Sequence, residues 1–176
     1  RDRMLTRTNP IGQTMARSYD ARDNLGTLTR EDGTVETASY DGLSRRTQVV
    51  TPDNTLTYAY DARGNLTEAA DDDSRVTFTY DLRNRLETTT TDGAVGPQPQ
   101  VTLTYTYDEL DRRLTMSDSL GGTTSYAYDP EDRLTDLTAP WGTVYSFGYD
   151  GEGRRTSLTS TSGRVSNYGY TNGLLT

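Results

Sequence analysis

Short runs of alternating large apolar and small polar side chains recur along the chain. From Leu56 to Tyr60, one set of positions holds Leu56, Tyr58 and Tyr60, and the set between holds Thr57 and Ala59. The same two-residue period returns as Val76, Phe78 and Tyr80; Val101, Leu103, Tyr105 and Tyr107; and Thr124, Tyr126 and Tyr128. It returns again as Tyr145, Phe147 and Tyr149, and as Ser166, Tyr168 and Tyr170. The intervening positions are small or polar, among them Thr77, Thr79, Thr104, Ser125, Ala127, Ser146 and Gly148. Successive side chains of a strand point to opposite faces, so this period predicts strands with one sheltered face. The first two copies are weaker, because Arg17 and Glu36 stand two and four places before the closing Tyr. No 3.6-residue period is sustained anywhere, and the chain is predicted to be all-β.

Turn signals punctuate the strands at a fixed interval. Tyr-Asp occurs at Tyr19-Asp20, Tyr40-Asp41, Tyr60-Asp61, Tyr80-Asp81, Tyr107-Asp108, Tyr128-Asp129 and Tyr149-Asp150, with Tyr170 opening a degenerate eighth copy. The tyrosines are spaced by 21, 20, 20, 27, 21, 21 and 21 residues. The one long interval contains GAVGPQPQ, residues 93–100, whose prolines and glycines read as a loop insertion. Gly, Asn, Asp and Pro cluster after each Tyr-Asp, as a tight turn requires. A strand follows, and about ten residues on comes a second turn signal such as Asp32-Gly33, Asp92-Gly93, Gly121-Gly122 or Ser162-Gly163. Each repeat is thus predicted to be one β-hairpin, and about eight hairpins give about sixteen strands. With strands of about eight residues, the ribbon would stand roughly 26 Å tall and roughly 75 Å wide.

A recurring Tyr-Asp has a physical explanation that involves no catalysis. Stacked repeats set equivalent side chains side by side, so tyrosine rings can bury area in a ladder while their hydroxyls reach a polar edge. A carboxylate at a turn can accept hydrogen bonds from the backbone N–H groups ahead of it.

Composition changes the picture by exclusion. Only 31% of the 176 residues are hydrophobic and the net charge is -8, with a mean hydropathy of -0.82. Those values alone point towards disorder, but 13 Tyr and abundant Thr favour strands. There is no Cys and no His, which removes disulfides, thiolate chemistry and the commonest general base and metal ligand. Every basic residue is Arg, so lysine Schiff-base and P-loop chemistry are also excluded. The acidic balance disfavours nucleic acid, and no apolar run approaches the ~20 residues that span a bilayer.

Candidate chemistry is weighed against this repeat. The acidic pairs Asp108 with Asp111 and Asp129 with Asp132 fall at turns and read as turn formers. Asp71, Asp72 and Asp73 are the densest group of potential Ca²⁺ ligands, but no EF-hand or nonapeptide spacing surrounds them. Trp141 and Tyr145 are the best placed to stack on a sugar, with packing within the repeat as the simpler role. Arg45, Arg46, Arg85, Arg112, Arg113, Arg133, Arg154 and Arg155 follow the turns and suggest ion pairs from repeat to repeat. The chain is expected not to be an enzyme and to need no cofactor or metal.

The Tyr-Asp pairs and their sequels, such as YDARGNLTEA from Tyr60, YDLRNRLETT from Tyr80 and YDPEDRLTDL from Tyr128, resemble the Rhs/YD-repeat family. The resemblance covers essentially the whole chain, residues 1–176. That family includes bacterial Rhs and wall-associated proteins, shell components of insecticidal toxin complexes, and teneurins. It implies a continuous curled or spiralling antiparallel sheet, part of a hollow shell or tube. In toxin members that shell encloses a C-terminal toxin domain for delivery, which implies an extracellular or cell-surface bacterial protein. The alternative is a segment of an extracellular filament or surface adhesin that contacts carbohydrate. Neighbouring repeats, or further copies of the chain, are the expected partners in either case. The family's core-ending D-P-x-G-L-type sequence has no counterpart, since Asp129-Pro130 continues as Glu131-Asp132, and no catalytic residue is carried over. The opening RDRMLTRT aligns with LDRRLTMS from Leu110, and the chain closes on YTNGLLT within a repeat, as expected of a fragment of a longer array. The structural motif residues expected are Tyr19, Asp20, Tyr40, Asp41, Tyr60, Asp61, Tyr80, Asp81, Tyr107, Asp108, Tyr128, Asp129, Tyr149, Asp150 and Tyr170.

Overall fold

A computed structural model of the chain describes residues 5–93, 100–171 and 173–175, and every regular element among them is a strand. The first eight are β1 (Thr6–Thr8), β2 (Thr14–Tyr19), β3 (Leu25–Thr29), β4 (Val35–Tyr40), β5 (Arg46–Val50), β6 (Thr55–Tyr60), β7 (Leu66–Ala70) and β8 (Ser74–Tyr80). They continue as β9 (Leu86–Gly93), β10 (Val101–Tyr107), β11 (Arg113–Asp118), β12 (Thr123–Tyr128), β13 (Leu134–Thr138), β14 (Val144–Tyr149), β15 (Arg155–Ser160) and β16 (Val165–Asn167). These sixteen strands join in strict sequence order into one antiparallel sheet that is not closed into a barrel. Two short strands, β17 (Tyr170–Thr171) and β18 (Leu174–Leu175), form a separate pair. Strands mostly run five to seven residues rather than eight, because the turns recruit the Asp and the four residues after it. Most of the expected insertion at 93–100 lies outside the described residues.

The chain divides into two compact units, Arg1–Phe78 with Thr91–Gln100, and Thr79–Thr90 with Val101–Thr176. Each is built from the same hairpin. In the first, Asp41 N–H donates to the Arg45 carbonyl and Ser44 N–H to the Asp41 carbonyl. In the second, Asp129 and Arg133, with Asp132, do the same. The residue three after the Asp is left-handed in every copy: Asp23, Ser44, Gly64, Asn84, Asp111, Asp132 and Gly153 have φ between 62° and 95°. This is a three-residue hairpin loop that ends in a left-handed residue.

A bulge accompanies it. Ala59 faces Glu68 but Tyr60 faces Leu66, so Thr67 is extra. Gly26, Thr47, Leu114, Thr135 and Thr156 are extra in the same way. The hairpins at the second turn have no such shift: Thr115, Met116 and Ser117 simply face Ser125, Thr124 and Thr123. The residue inserted on one strand increases local twist at these six Tyr-Asp hairpins.

Burial is partial everywhere. Val49 and Ala139 are each 5% exposed, Thr124 is 8%, and no described side chain is completely sealed from solvent. In unit two the rings lie on one face with apolar partners across the strands, Tyr105 facing Met116, Tyr126 facing Leu137, and Phe147 facing Leu158. The other face pairs hydroxyls, with Thr106 against Thr115 at 2.6 Å and Ser146 donating to Asp136 at 2.6 Å. With so little sealed core, backbone geometry and contacts between repeats must carry much of the stability. A first test follows at Ser44, whose φ of 62° β-branched residues resist. Ser44→Val is expected to cost about 1–2 kcal/mol, and Ser44→Gly to be neutral or slightly stabilising, as read by urea denaturation.

Candidate functional site

The Tyr-Asp turn is organised around its carboxylate. Each Asp carboxylate takes two backbone hydrogen bonds through Oδ1, from the residues two and four ahead. Asp108 accepts from Leu110 and Arg112, both at 2.9 Å, and Asp129 from Glu131 at 3.0 Å and Arg133 at 2.9 Å. Asp20, Asp41, Asp61, Asp81 and Asp150 repeat the arrangement. Oδ2 then accepts from the side chain four residues on. That partner is Arg Nε at 2.7 Å in Arg45, Arg85, Arg112, Arg133 and Arg154, and the amide of Asn24 or Asn65 at 2.9 Å.

This environment holds all seven carboxyls below the usual carboxylate range. The backbone N–H of Arg45 or Arg85 is the main cause at Asp41 and Asp81. At Asp20, Asp61 and Asp150 it is the side chain of Asn24, Asn65 or Arg154. At Asp108 and Asp129 desolvation is the largest influence and pushes upward, but the bonds from Arg112 and Arg133 together outweigh it. A carboxylate with both oxygens so occupied is a poor base or nucleophile and a good brace.

The arginine of each turn also reaches forward. Arg45 Nη1 donates to the Asp61 carbonyl at 3.2 Å, and its guanidinium lies 4.6 Å from the centre of the Tyr60 ring. In unit two, Arg85, Arg112 and Arg133 donate to the carbonyls of Asp108, Asp129 and Asp150. They cover Tyr107, Tyr128 and Tyr149 at 4.6, 4.9 and 5.1 Å. Arg154 covers Tyr170 at 4.8 Å. Where Asn24 replaces the arginine, Arg22 reaches the Asp41 carbonyl instead, at 3.3 Å.

The tyrosine closes the contact from the other side. Its hydroxyl donates backwards to the first strand residue of the preceding repeat. Tyr40 reaches Leu25, Tyr60 reaches Arg46, Tyr107 reaches Leu86, Tyr128 reaches Arg113, Tyr149 reaches Leu134 and Tyr170 reaches Arg155, all at 2.8–3.0 Å. Desolvation pushes the Tyr128 hydroxyl above its ordinary value. Every motif tyrosine is half-buried.

The expected arginine column therefore resolves into two sets. Arg45, Arg85, Arg112, Arg133 and Arg154 pair first with the Asp of their own turn. Ion pairs between repeats are secondary, from Arg85 to Asp111 at 2.7 Å and from Arg112 to Asp132 at 2.9 Å. Arg46, Arg113 and Arg155 begin strands on the tyrosine side, directly across from Tyr40, Tyr107 and Tyr149. Sequence reasoning passed over the position four after the Asp as a site of its own. It is Asn or Arg in all seven copies, a regularity visible in the residues.

The other candidates stay at turns. Asp71 accepts from the N–H groups of Asp73 and Ser74. Among the described residues no group of three or more acidic side chains is placed to hold a metal ion. Trp141 stands 74% exposed at the tip of its turn, while Tyr145 is half-buried and paired with Leu137.

A family model described as RHS Repeat matches four overlapping stretches, residues 40–76, 60–95, 107–140 and 128–165, together well over half of the chain. Among solved structures, TcdB2-TccC3-TEV matches with a TM-score of 0.77 at 16% identity, over 92% of this chain and 10% of that one. The Photorhabdus luminescens Tc holotoxin pore with a mutated TccC3 matches at 0.77 and 16%, over 93% of this chain and 10% of that one. TcdB2-TccC3 itself matches at 0.75 and 16%, over 89% of this chain and 10% of that one. The chain spans about a tenth of the length of each, and at this identity the likeness is one of fold. No curated protein sequence matches the chain.

Proposed function

Because the chain belongs to the RHS repeat family, we propose that it is a wall segment of a β-shell that encloses a toxin or effector domain for secretion and delivery. The observation that carries this reading is the fold likeness to TcdB2-TccC3 over about nine-tenths of the chain. The geometry of the turns supports it. A wall one sheet thick has no second layer to stiffen it, so neighbouring repeats must hold each other. The Asp brace, joined at most turns by a forward-reaching arginine and a backward-reaching tyrosine, does this. In this reading the residues from Tyr19 and Asp20 to Tyr170 that make up the repeat motif are structural, and residues 1–176 are one array. The partners are neighbouring repeats and an enclosed effector domain, and the setting is extracellular.

Electron microscopy of the full-length protein from its native source tests the reading. Closed hollow particles with density inside are the expected result. Long uniform fibres would overturn it, and would make the chain a repeating segment of an extracellular filament.

A further inference from the structure

The first strand residue after each Tyr-Asp turn occupies one structural position in every repeat. At six of these positions its carbonyl accepts the hydroxyl of the next tyrosine, and its side chain lies on the aromatic face. In Leu25, Leu86 and Leu134 that side chain is a hydrocarbon plug. In Arg46, Arg113 and Arg155 it is a guanidinium, with the same carbonyl bond intact at 2.9, 3.0 and 2.9 Å. The fold therefore accepts leucine here, and the charge is not required for folding.

These three guanidinium groups differ from those of the turns. Arg45, Arg85, Arg112, Arg133 and Arg154 are each paired to the carboxylate of their own turn. Arg46, Arg113 and Arg155 make no ion pair with any described residue, in a chain of net charge -8. They lie among aromatic rings instead. Arg113 sits 4.6 Å from the centre of the Tyr105 ring, with Nε shut off from solvent and unpaired. Arg155 sits 4.7 Å from Tyr168. Arg46, Tyr58 and Tyr60 line an open cleft of about 300 Å³. That volume is at the small end of ligand pockets, and a mostly aromatic lining with one charged group is their usual make-up.

We propose that the Arg46, Arg113 and Arg155 positions are binding sites for carboxylate-bearing sugars, that is, uronate units of an acidic polysaccharide. An uncompensated guanidinium offers a two-pronged donor that matches a carboxylate. Tyr58 in the Arg46 cleft, and the sides of the other rings not covered by a guanidinium, offer flat apolar surface for the C–H face of the sugar ring. A glutamate side chain has the carboxylate but no flat body to lie on the rings, so the pairing of Arg with Tyr favours the sugar acid over an acidic peptide. Arg113 and Arg155 begin strands four steps apart in the same unit, about 19 Å at ~4.8 Å per strand. One polymer chain carrying repeated carboxylates can engage both sites and gain from their linkage.

The test is titration of the full-length protein with oligogalacturonate, by calorimetry, at low salt. The controls are neutral galacto-oligosaccharide and a glutamate oligomer of equal charge. Binding of the uronate is expected, at least tenfold tighter than either control and weakened by 0.5 M salt. The variant R46L/R113L/R155L installs the residue that other repeats hold at this position. It is expected to keep the circular dichroism of the parent and to lose at least tenfold in uronate affinity. Absence of wild-type binding, equal binding of the glutamate oligomer, or unchanged binding by the folded variant would each overturn the proposal.

Discussion

Tyr128→Ala is expected to destabilise the protein by about 2–3 kcal/mol, somewhat below the cost of emptying a fully buried aromatic site. The ring is half-buried, lies under Arg112 at 4.9 Å, and donates its hydroxyl to the Arg113 carbonyl at 3.0 Å. Tyr128→Phe separates these contributions. It keeps the ring and the arginine contact and gives up one hydrogen bond, for an expected loss of about 1 kcal/mol. Urea denaturation gives the totals, and hydrogen exchange locates the weakness, since repeat arrays open at individual seams. The amides on both sides of that seam, in β11 and β12, should lose protection first. A Phe variant as damaging as the Ala variant would mean that the hydroxyl bond, and not the ring, holds adjacent repeats together.

Acid should unfold the array over a narrow range. Asp20, Asp41, Asp61, Asp81, Asp108, Asp129 and Asp150 are all held below the ordinary carboxylate value of 3.8. A carboxyl whose folded pKa is depressed stabilises the fold fully above the unfolded value. That contribution is lost as pH falls through the folded value. Here the window lies below about pH 4, and seven equivalent groups release together. Stability should be nearly level from pH 7 to 5 and then fall with a slope several-fold that of a single carboxylate. Asp108→Asn should lower the number of protons taken up on unfolding by about one. Flat stability from pH 5 to 3 would show that the turns do not depend on their charge.

Most of the fold can be read from the residues because it is local. Alternation from Leu56 to Tyr60 specifies a strand, and Asp with Gly, Asn or Pro after the tyrosine specifies a turn. The Asp brace too is legible, since a short carboxylate at a turn has few other partners. What the residues do not reveal is set by the bulge. Arg112 and Arg113 are sequence neighbours and look alike. One bends back to Asp108 while the other enters the strand on the aromatic face, and only the register distinguishes them. The turns also take more of each repeat than the polar residues alone suggest, which is why the strands came out shorter than eight residues. The direction of the arginine contact, always towards the next repeat, depends on how strands twist past one another and leaves no mark in a single copy.

The bulge has one more consequence, for how such an array can change its length. The two kinds of hairpin are not interchangeable: one shifts the register by a residue and the other does not. Losing a single strand would bring a bulged turn to the edge where a plain one belongs and would leave an arginine with no tyrosine to cover. Losing a whole repeat of two strands leaves every remaining contact equivalent to the one it replaced. The array is therefore quantised. It can grow or shrink by duplication or deletion of units of about 21 residues, and the width of the sheet changes in the same steps.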